Sequence, residues 1–369
     1  MCKKTLTLVT LFALGSVNQV AIAEDLNCDQ YQAAEEEIKN LSSVENLAIV
    51  IGNGNYKEDG KTSDFDNLNL AKNDASKMKD KFSKNNFHVL YKEDATKSEM
   101  DSLICKMGYF LKYHPSINTV AFYFSGHGTS DPFTKDNLLV PTDMNFFTIY
   151  ANSFNCNGEE KGNEICKELF KERDCNKESC KVDGYEGKVL NLNTVLQKMK
   201  DYYPKDSNGK LLTESKRNHL VLLDACRSNG ISEDAKTKAI QVAEQAAKGL
   251  KKGPIEILPK LAATKSTLGA MSAVSSATDL PNSLIGFAAG IGKSALEFKN
   301  AENSVYTKHL LEHIFNKSVT LKQALDQVII NVKRETRKEK EPQVPRYDAS
   351  LEEEIYLGGQ QELNYGFGG

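Results

Sequence analysis

Two short segments carry side chains of the types that act together on a carbonyl group. In the first, the apolar run 119–124 ends in the letters SGHG, which place His127 between two glycines. In the second, the apolar run 219–223 ends in DACRS, which contains Cys226. A thiol beside a base loses its proton to become a thiolate, which is the actual nucleophile. The two segments therefore predict nucleophilic catalysis by Cys226 with His127 as general acid and base.

The backbone around these two residues could also take part in the reaction. Glycines beside His127 leave room for a substrate carbonyl, and the N–H groups of Gly128 and Cys226 could donate to an oxyanion. Each residue also has a simpler interpretation, a solvated histidine in a turn and an inert core thiol. Catalysis requires the segments that contain His127 and Cys226 to lie next to each other in the folded protein.

The elements that would bring them together are apolar strands alternating with amphipathic helices. Strand patterns cover 47–51, 87–91, 118–124 and 219–223, and two more are predicted at 266–276 and 354–358. Helical patterns cover 65–87, 97–114, 190–203, 304–315 and 320–338. This alternation predicts an α/β fold with a six-stranded, mostly parallel sheet flanked by helices. In such a sheet, ligands collect at the carboxyl ends of the strands, where both motifs lie.

The domain organisation follows from composition. Two lysines, the apolar run Leu6–Leu14 and small residues at Ala21 and Ala23 predict a signal peptide over 1–23, with an uncleaved anchor as the alternative. A helical segment, 24–45, precedes one catalytic domain over 46–358, and 359–369 is a predicted flexible tail. Within the domain, 152–187 is a cysteine-rich insertion and 230–265 is a lysine-rich linker loop.

Charge and cysteine content narrow the function further. A formal net charge of −3 gives no general attraction for nucleic acid, so we expect no nucleic-acid partner. We also expect no membrane association once the signal peptide is removed. Export predicts a secreted or periplasmic protein with disulfides. Of eight cysteines, cleavage removes Cys2, and the remaining seven predict one free thiol. The insertion's cysteines favour disulfides over a zinc site; these are Cys156, Cys166, Cys175 and Cys180.

The two motifs resemble the active-site motifs of the caspase-like cysteine proteases, and YFSGHG and LLDACRSNG are closer to the metacaspase and bacterial branches than to animal caspases. The resemblance extends through LAIVIGNGNY, LNLAKNDASKM, DNLLVPTD, NSVYTKHLLEHI and QVPRYDASLEEEIYL, over about 47–357. It implies a caspase-like sandwich, Cys226 as nucleophile, His127 as general acid and base, and an oxyanion hole formed by the N–H groups of Gly128 and Cys226.

The resemblance to metacaspases also implies a substrate pocket lined by Asp74, Ser125 and Asp224. Two carboxylates there would attract a cationic side chain and repel an acidic one, so we expect cleavage after Arg or Lys. Caspase-like zymogens are often cut in the region corresponding to 230–265, whose lysines make self-processing a prediction, with a flexible linker that is left intact as the alternative. No cofactor or metal is expected to be required, although calcium, which some metacaspases need, stays open.

Two further functions are weighed against the protease. A caspase-fold module without catalysis would act by binding alone, but it would not need both Cys226 and His127. A disulfide-exchange protein would need a C-x-x-C pair at a strand end, which the sequence lacks. The expected partners are therefore protein or peptide substrates with a basic P1 residue, cleaved by a protein that is expected to be a monomer.

Overall fold

A computed structural model describes residues 26–56, 65–130, 136–144, 189–203, 217–225, 280–290, 293 and 295–357. The predicted signal peptide, insertion, linker loop and tail lie outside these residues, as do Cys226 and the strand expected at 266–276. No helix among the described residues combines the length and the apolar character needed to cross a bilayer.

Strands and helices alternate through the described chain. The strands are β1 Asn46–Gly52, β2 His88–Glu93, β3 Thr119–Gly126, β4 Gly128–Ser130, β5 Asn137–Leu139, β6 Leu190–Asn191, β7 Asn218–Ala225, β8 Ser283–Phe287 and β9 Arg346–Ser350. The helices are a 3₁₀ turn at Asp29–Tyr31, then α1 Gln32–Lys39, α2 Ala71–Ser83, α3 Lys97–Tyr113, α4 Leu192–Asp201, α5 Val305–His313 and α6 Leu321–Glu335.

Six of these strands form the main sheet, in the order β2-β1-β3-β7-β8-β9. The first five are parallel, and β9 pairs with β8 in the antiparallel direction. Strands β4, β5 and β6 form a separate small antiparallel sheet. The predicted fold class, a six-stranded and mostly parallel sheet flanked by helices, is confirmed.

Helices cover both faces of the main sheet because alternate residues of its central strands point to opposite sides. Ile49 and Ile51 of β1 join the core cluster formed with α1, α3 and α4. Ala48 and Val50 join the cluster formed with α2, α5 and α6. The continuous apolar runs of the central strands are what two buried faces require.

The last strand of the sheet was predicted in the wrong place. Residues 354–357 form no strand, and Arg346–Ser350 pairs with β8 instead. Ile355 and Leu357 are apolar because they pack into the core beside α6, and the Ile355 carbonyl accepts a hydrogen bond from the Leu321 N–H. An edge strand such as β9 is largely exposed, so it lacks the apolar run by which buried strands are recognised.

The N-terminal segment is fastened to α3 by a disulfide between Cys28 and Cys105. The Tyr109 hydroxyl donates a hydrogen bond to the Cys28 carbonyl at 2.8 Å, and Lys112 forms a salt bridge with Glu35 at 2.7 Å. Cysteine counting predicted paired cysteines in the mature chain without giving their partners, and the structure supplies this pair.

Candidate active site

The two motifs lie at the ends of neighbouring strands. In the β3–β7 pairing, Ser125 lies opposite Asp224 and Gly126 lies opposite Ala225. His127 therefore follows the end of β3 directly, and residue 226 follows the end of β7. The adjacency of the strands agrees with the expected meeting of the two motifs. The Cys226 side chain lies outside the described residues, so the dyad stays a prediction.

Hydrogen bonding determines which nitrogen of His127 carries the proton. Nε2 lies 2.7 Å from the backbone carbonyl oxygen of Asp66, and a carbonyl can only accept. Nε2 is therefore the N–H donor, and the neutral ring has its lone pair on Nδ1. Nδ1 is buried and has no hydrogen-bond partner in the described part of the chain. This nitrogen is the one that can accept a proton.

An aromatic environment holds the imidazole in place. The Tyr56 and Phe65 rings lie 4.6 and 5.4 Å from the His127 ring, centre to centre. The His127 backbone N–H donates to the Tyr56 hydroxyl oxygen at 2.8 Å, and that hydroxyl donates to the Val140 carbonyl. Burial lowers the pKa of His127 to about 4, so the ring is neutral at physiological pH. The ring has the charge state that a base needs.

The pairing of β4 with β5 determines the direction of the Gly128 backbone N–H. The Val140 N–H donates to the His127 carbonyl, so these two residues occupy a hydrogen-bonding position of the ladder, but only one of its two bonds forms because the His127 N–H donates to Tyr56. The next pair of an antiparallel ladder, here Gly128 and Leu139, directs its N–H groups away from the partner strand. Because β4 is the edge strand of the small sheet, the Gly128 N–H faces away from β5. This orientation is compatible with the predicted oxyanion hole.

Two buried carboxyl groups meet beside these strand ends. Asp74, on α2, is fully buried, and Asp224, on β7, is 5% exposed. Ser304, the N-cap of α5, connects them: its N–H donates to Asp74 at 3.1 Å and its hydroxyl donates to Asp224. Thr307 also donates to Asp224, and Asn303 donates to Asp74 at 2.7 Å.

The two carboxyl groups oppose each other's ionisation. Burial, followed by the charge of Asp224, raises the pKa of Asp74 to about 8. Burial also raises the pKa of Asp224, while hydrogen bonds from Ser304 and Thr307 act in the opposite direction. Like charges in a poorly solvated place cannot both ionise freely. The pair therefore retains a proton near neutral pH.

A cavity of about 190 Å³ opens beside the pair. Its lining residues are Leu68, Ser125, Gly126, Asp224, Ala295, Glu297 and Ser304. Ser125 and Asp224 thus line it as expected for a substrate pocket. Asp74 lies behind the residues that line the cavity and accepts a hydrogen bond from the backbone N–H of one of them, Ser304.

Sequence reasoning missed several residues of the candidate site as a whole. Glu297 adds a third carboxylate, whose pKa is raised by desolvation and by the charge of Asp224. Asn303 and Ser304 stand in a segment that the family resemblance included, but no motif assigned them a role. The Asp66 carbonyl could not have been found from residue types, because a backbone oxygen has no sequence signature.

Comparison with known proteins gives one family. The family model of the caspase domain matches residues 45–356. Among solved structures, the chain is similar to caspase-1 from Spodoptera frugiperda, with 11% identity over 87% of this chain and 92% of that chain and a TM-score of 0.48. Comparison with curated proteins gave no match.

Proposed function

Because the chain belongs to the caspase family of cysteine peptidases, we propose that it is an endopeptidase that cleaves after Arg or Lys. One observation carries the catalytic part of this proposal. His127 presents an Nδ1 that has no hydrogen-bond partner among the described residues, and the strand paired with β3, β7, ends one residue before Cys226. This strand adjacency supports a base and a thiol acting together at the same edge of the sheet.

The reaction follows from the tautomer of His127. Nδ1 accepts the proton of the Cys226 thiol, and the thiolate attacks the carbonyl carbon of the scissile bond. The N–H groups of Gly128 and Cys226 stabilise the oxyanion. The imidazolium then gives its proton to the leaving amine, and a water molecule activated by His127 hydrolyses the thioester. The Asp66 carbonyl keeps the ring oriented throughout, in the way that the third group of a catalytic triad does.

The specificity rests on the acidic cavity. Ser125 and Gly126 line it immediately before His127, so a P1 side chain entering the cavity would leave its carbonyl near the imidazole. At an effective dielectric constant near 20, a cation 4 Å from a carboxylate gains about 4 kcal/mol before desolvation. An acidic P1 side chain would suffer repulsion of similar size. The cavity therefore favours Arg or Lys and disfavours Asp.

Export and self-processing belong to the same proposal. The Cys28–Cys105 disulfide is typical of proteins that fold in an oxidising compartment, which supports a secreted or periplasmic location. Processing at the lysines of 230–265 would follow from the basic specificity and stays a prediction. We expect no cofactor to be required and the active species to be a monomer.

The test is turnover of matched peptides that differ only at P1. We expect Arg and Lys peptides to be cleaved and the Asp peptide to be resistant, with activity lost in Cys226→Ala and His127→Ala. The assay is run with and without calcium, and with a reductant to keep Cys226 reduced. Turnover that persists in Cys226→Ala would refute the mechanism. Absence of turnover on every peptide, even after limited proteolysis, would instead indicate a caspase-fold binding module.

A further inference from the structure

A group of metal-ligand side chains lies on α5, outside the proposed active site. His309, Glu312 and His313 each offer one ligand atom, and these atoms lie within 4.8 Å of one another. The spacing i, i+3, i+4 places all three on one side of the helix. Imidazole nitrogens and a carboxylate oxygen are a ligand set that suits zinc and neighbouring transition metals rather than calcium or magnesium.

A carboxylate from another helix orients the first histidine. His309 Nε2 lies 2.8 Å from Glu335, on α6, and Glu335 also pairs with Lys308 at 2.9 Å. Metal-binding histidines commonly donate their second ring N–H to a carboxylate, which fixes the ring and raises its basicity. His309 Nδ1 is then directed toward Glu312, whose oxygen lies 2.8 Å away. The ring is thus oriented with one nitrogen held by α6 and the other facing the remaining ligands.

The second histidine already uses a lone pair in a hydrogen bond from α6. Asn331 Nδ2 donates to His313 Nε2 at 2.8 Å, which requires a lone pair on that nitrogen. The same nitrogen lies 3.7 Å from the Glu312 oxygen. Tetrahedral bonds of about 2.1 Å would separate the ligand atoms by about 3.4 Å. The His309–Glu312 contact at 2.8 Å would widen to that value, the His313–Glu312 contact at 3.7 Å would shorten, and no two ligand atoms are more than 4.8 Å apart. His313 would exchange its hydrogen bond from Asn331 for the ion.

The partial exposure of His313 and Glu312 would leave one coordination position of the ion open to water. His309 is 9% exposed, His313 is 26% exposed and Glu312 is 49% exposed in their side chains. An ion can therefore reach the site from solvent, and water can complete its coordination. We propose that His309, Glu312 and His313 bind one divalent transition-metal ion of the zinc class, with Glu335 positioning His309.

The location of the site means that a bound ion would affect how α5 is held against α6. Helix α5 begins at Ser304, which holds the two carboxyl groups of the acidic cavity, and α5 packs on α6. An ion that fixes His309 also strengthens the link between the two helices through Glu335. Since none of the three ligands lines the acidic cavity, the ion itself would not need the active-site residues.

The experiment is a titration with Co²⁺, followed by Zn²⁺ competition, on full-length Cys226→Ala protein. We expect one equivalent of cobalt to give visible d–d bands without thiolate charge-transfer bands, because the ligands are nitrogen and oxygen. His313→Gln and Glu312→Gln should each weaken the affinity about 10- to 100-fold. At 100 times the dissociation constant, Zn²⁺ should raise the Tm by about 5 °C.

The matched control is His88→Gln, which removes an exposed histidine from β2 and should leave the titration unchanged. Thiolate bands would place the metal at the insertion's cysteines and overturn the assignment. Equal affinity in His313→Gln and the parent protein would also overturn it. Absence of any metal binding would show that the cluster is only a hydrogen-bonded link between α5 and α6. None of these results depends on peptidase activity, so the metal site and the proposed function can fail separately.

Discussion

The direction of one hydrogen bond determines how His127 can act. Because Nε2 donates to the Asp66 carbonyl, Nδ1 alone is left to exchange a proton with the thiol. Burial makes the imidazolium unfavourable in the resting site. A thiolate at Cys226 would reverse that preference by supplying a counterion, so proton transfer and nucleophile formation would stabilise each other.

The acidic pair makes recognition of a basic P1 residue dependent on pH. A guanidinium group is stabilised most when Asp74 and Asp224 are both ionised, but Asp74 holds its proton up to about pH 8. Arg binding therefore competes with that proton. We expect the ratio of kcat/KM for Arg over citrulline, its neutral isostere, to rise between about pH 7 and 9, on either side of the Asp74 pKa of about 8. Measuring a ratio cancels the titration of Cys226 and His127, which both substrates share.

Asp224→Asn serves as the matched variant for this measurement. Removing one charge lowers the pKa of Asp74, because the repulsion that raises it disappears. The rise in the ratio should move to lower pH, and its plateau should fall about 10-fold or more, as expected for a loss of 1.4 kcal/mol or above. A ratio that stays constant with pH in both proteins would show that Asp74 and Asp224 do not contribute to recognition of the P1 residue.

At the scale of elements, the start of α5 connects helix stability with specificity. The Ser304 side chain accepts a hydrogen bond from the Thr307 N–H and donates to Asp224. Thr320 plays the same capping role at α6, away from the cavity. We expect Ser304→Ala and Thr320→Ala each to lower the free energy of unfolding by about 1 kcal/mol.

These two variants should differ in catalysis. Only Ser304→Ala removes a donor from the buried carboxyl groups, so only it should weaken the preference for Arg over citrulline. Guanidinium unfolding and kinetics on both variants provide the comparison. A similar loss of preference in Thr320→Ala would indicate that general destabilisation is the cause.

The elements also show why the sequence revealed some features and concealed others. Strands β1, β3 and β7 are buried on both faces, so their apolar runs identified them and the motifs at their ends. Strand β9 is polar because it lies at an edge, and Ile355 is apolar because it covers the core outside the sheet. Strand β8 has the five letters SLIGF, which sequence reasoning passed over because a longer run, 266–276, competed for the position. Tertiary position determined these sequences more than strand propensity did.

The candidate site also contains some residues that the sequence revealed and others that it concealed. Asp74, Ser125 and Asp224 were predicted because the family resemblance assigned them, and the structure brings them to one place around Ser304. Glu297 has no motif and reaches the cavity only through the path of the chain after β8. Residues that act through backbone groups or through folding of distant segments leave no local pattern.

At the scale of the whole molecule, the Cys28–Cys105 bond ties the segment before the domain to the face of the sheet that carries α3. The two cysteines are 77 positions apart in the sequence, and the chain between them includes β1, α2 and β2. Closing a loop of that length restricts the unfolded chain strongly. Noncovalent contacts hold the same segment: Glu35 forms a partly exposed salt bridge with Lys112 and accepts a hydrogen bond from Tyr113, and Ile38 is buried in the core. The segment should therefore stay folded against α3 in the variant, at a lower stability.

We therefore expect the double variant Cys28→Ser/Cys105→Ser to lose about 2–5 kcal/mol in the free energy of unfolding. The measurement is guanidinium unfolding without reductant, with the parent protein in reductant as a second reference that also opens any other disulfide. Cleavage of Arg peptides at a temperature where the variant is folded should remain unchanged, because α1 and α3 lie on the face of the sheet opposite α2 and α5, which carry Asp74 and Ser304. Equal unfolding midpoints for variant and parent would mean that the bond adds no stability to the domain. A loss of activity in the folded variant would instead connect the N-terminal segment to the catalytic edge.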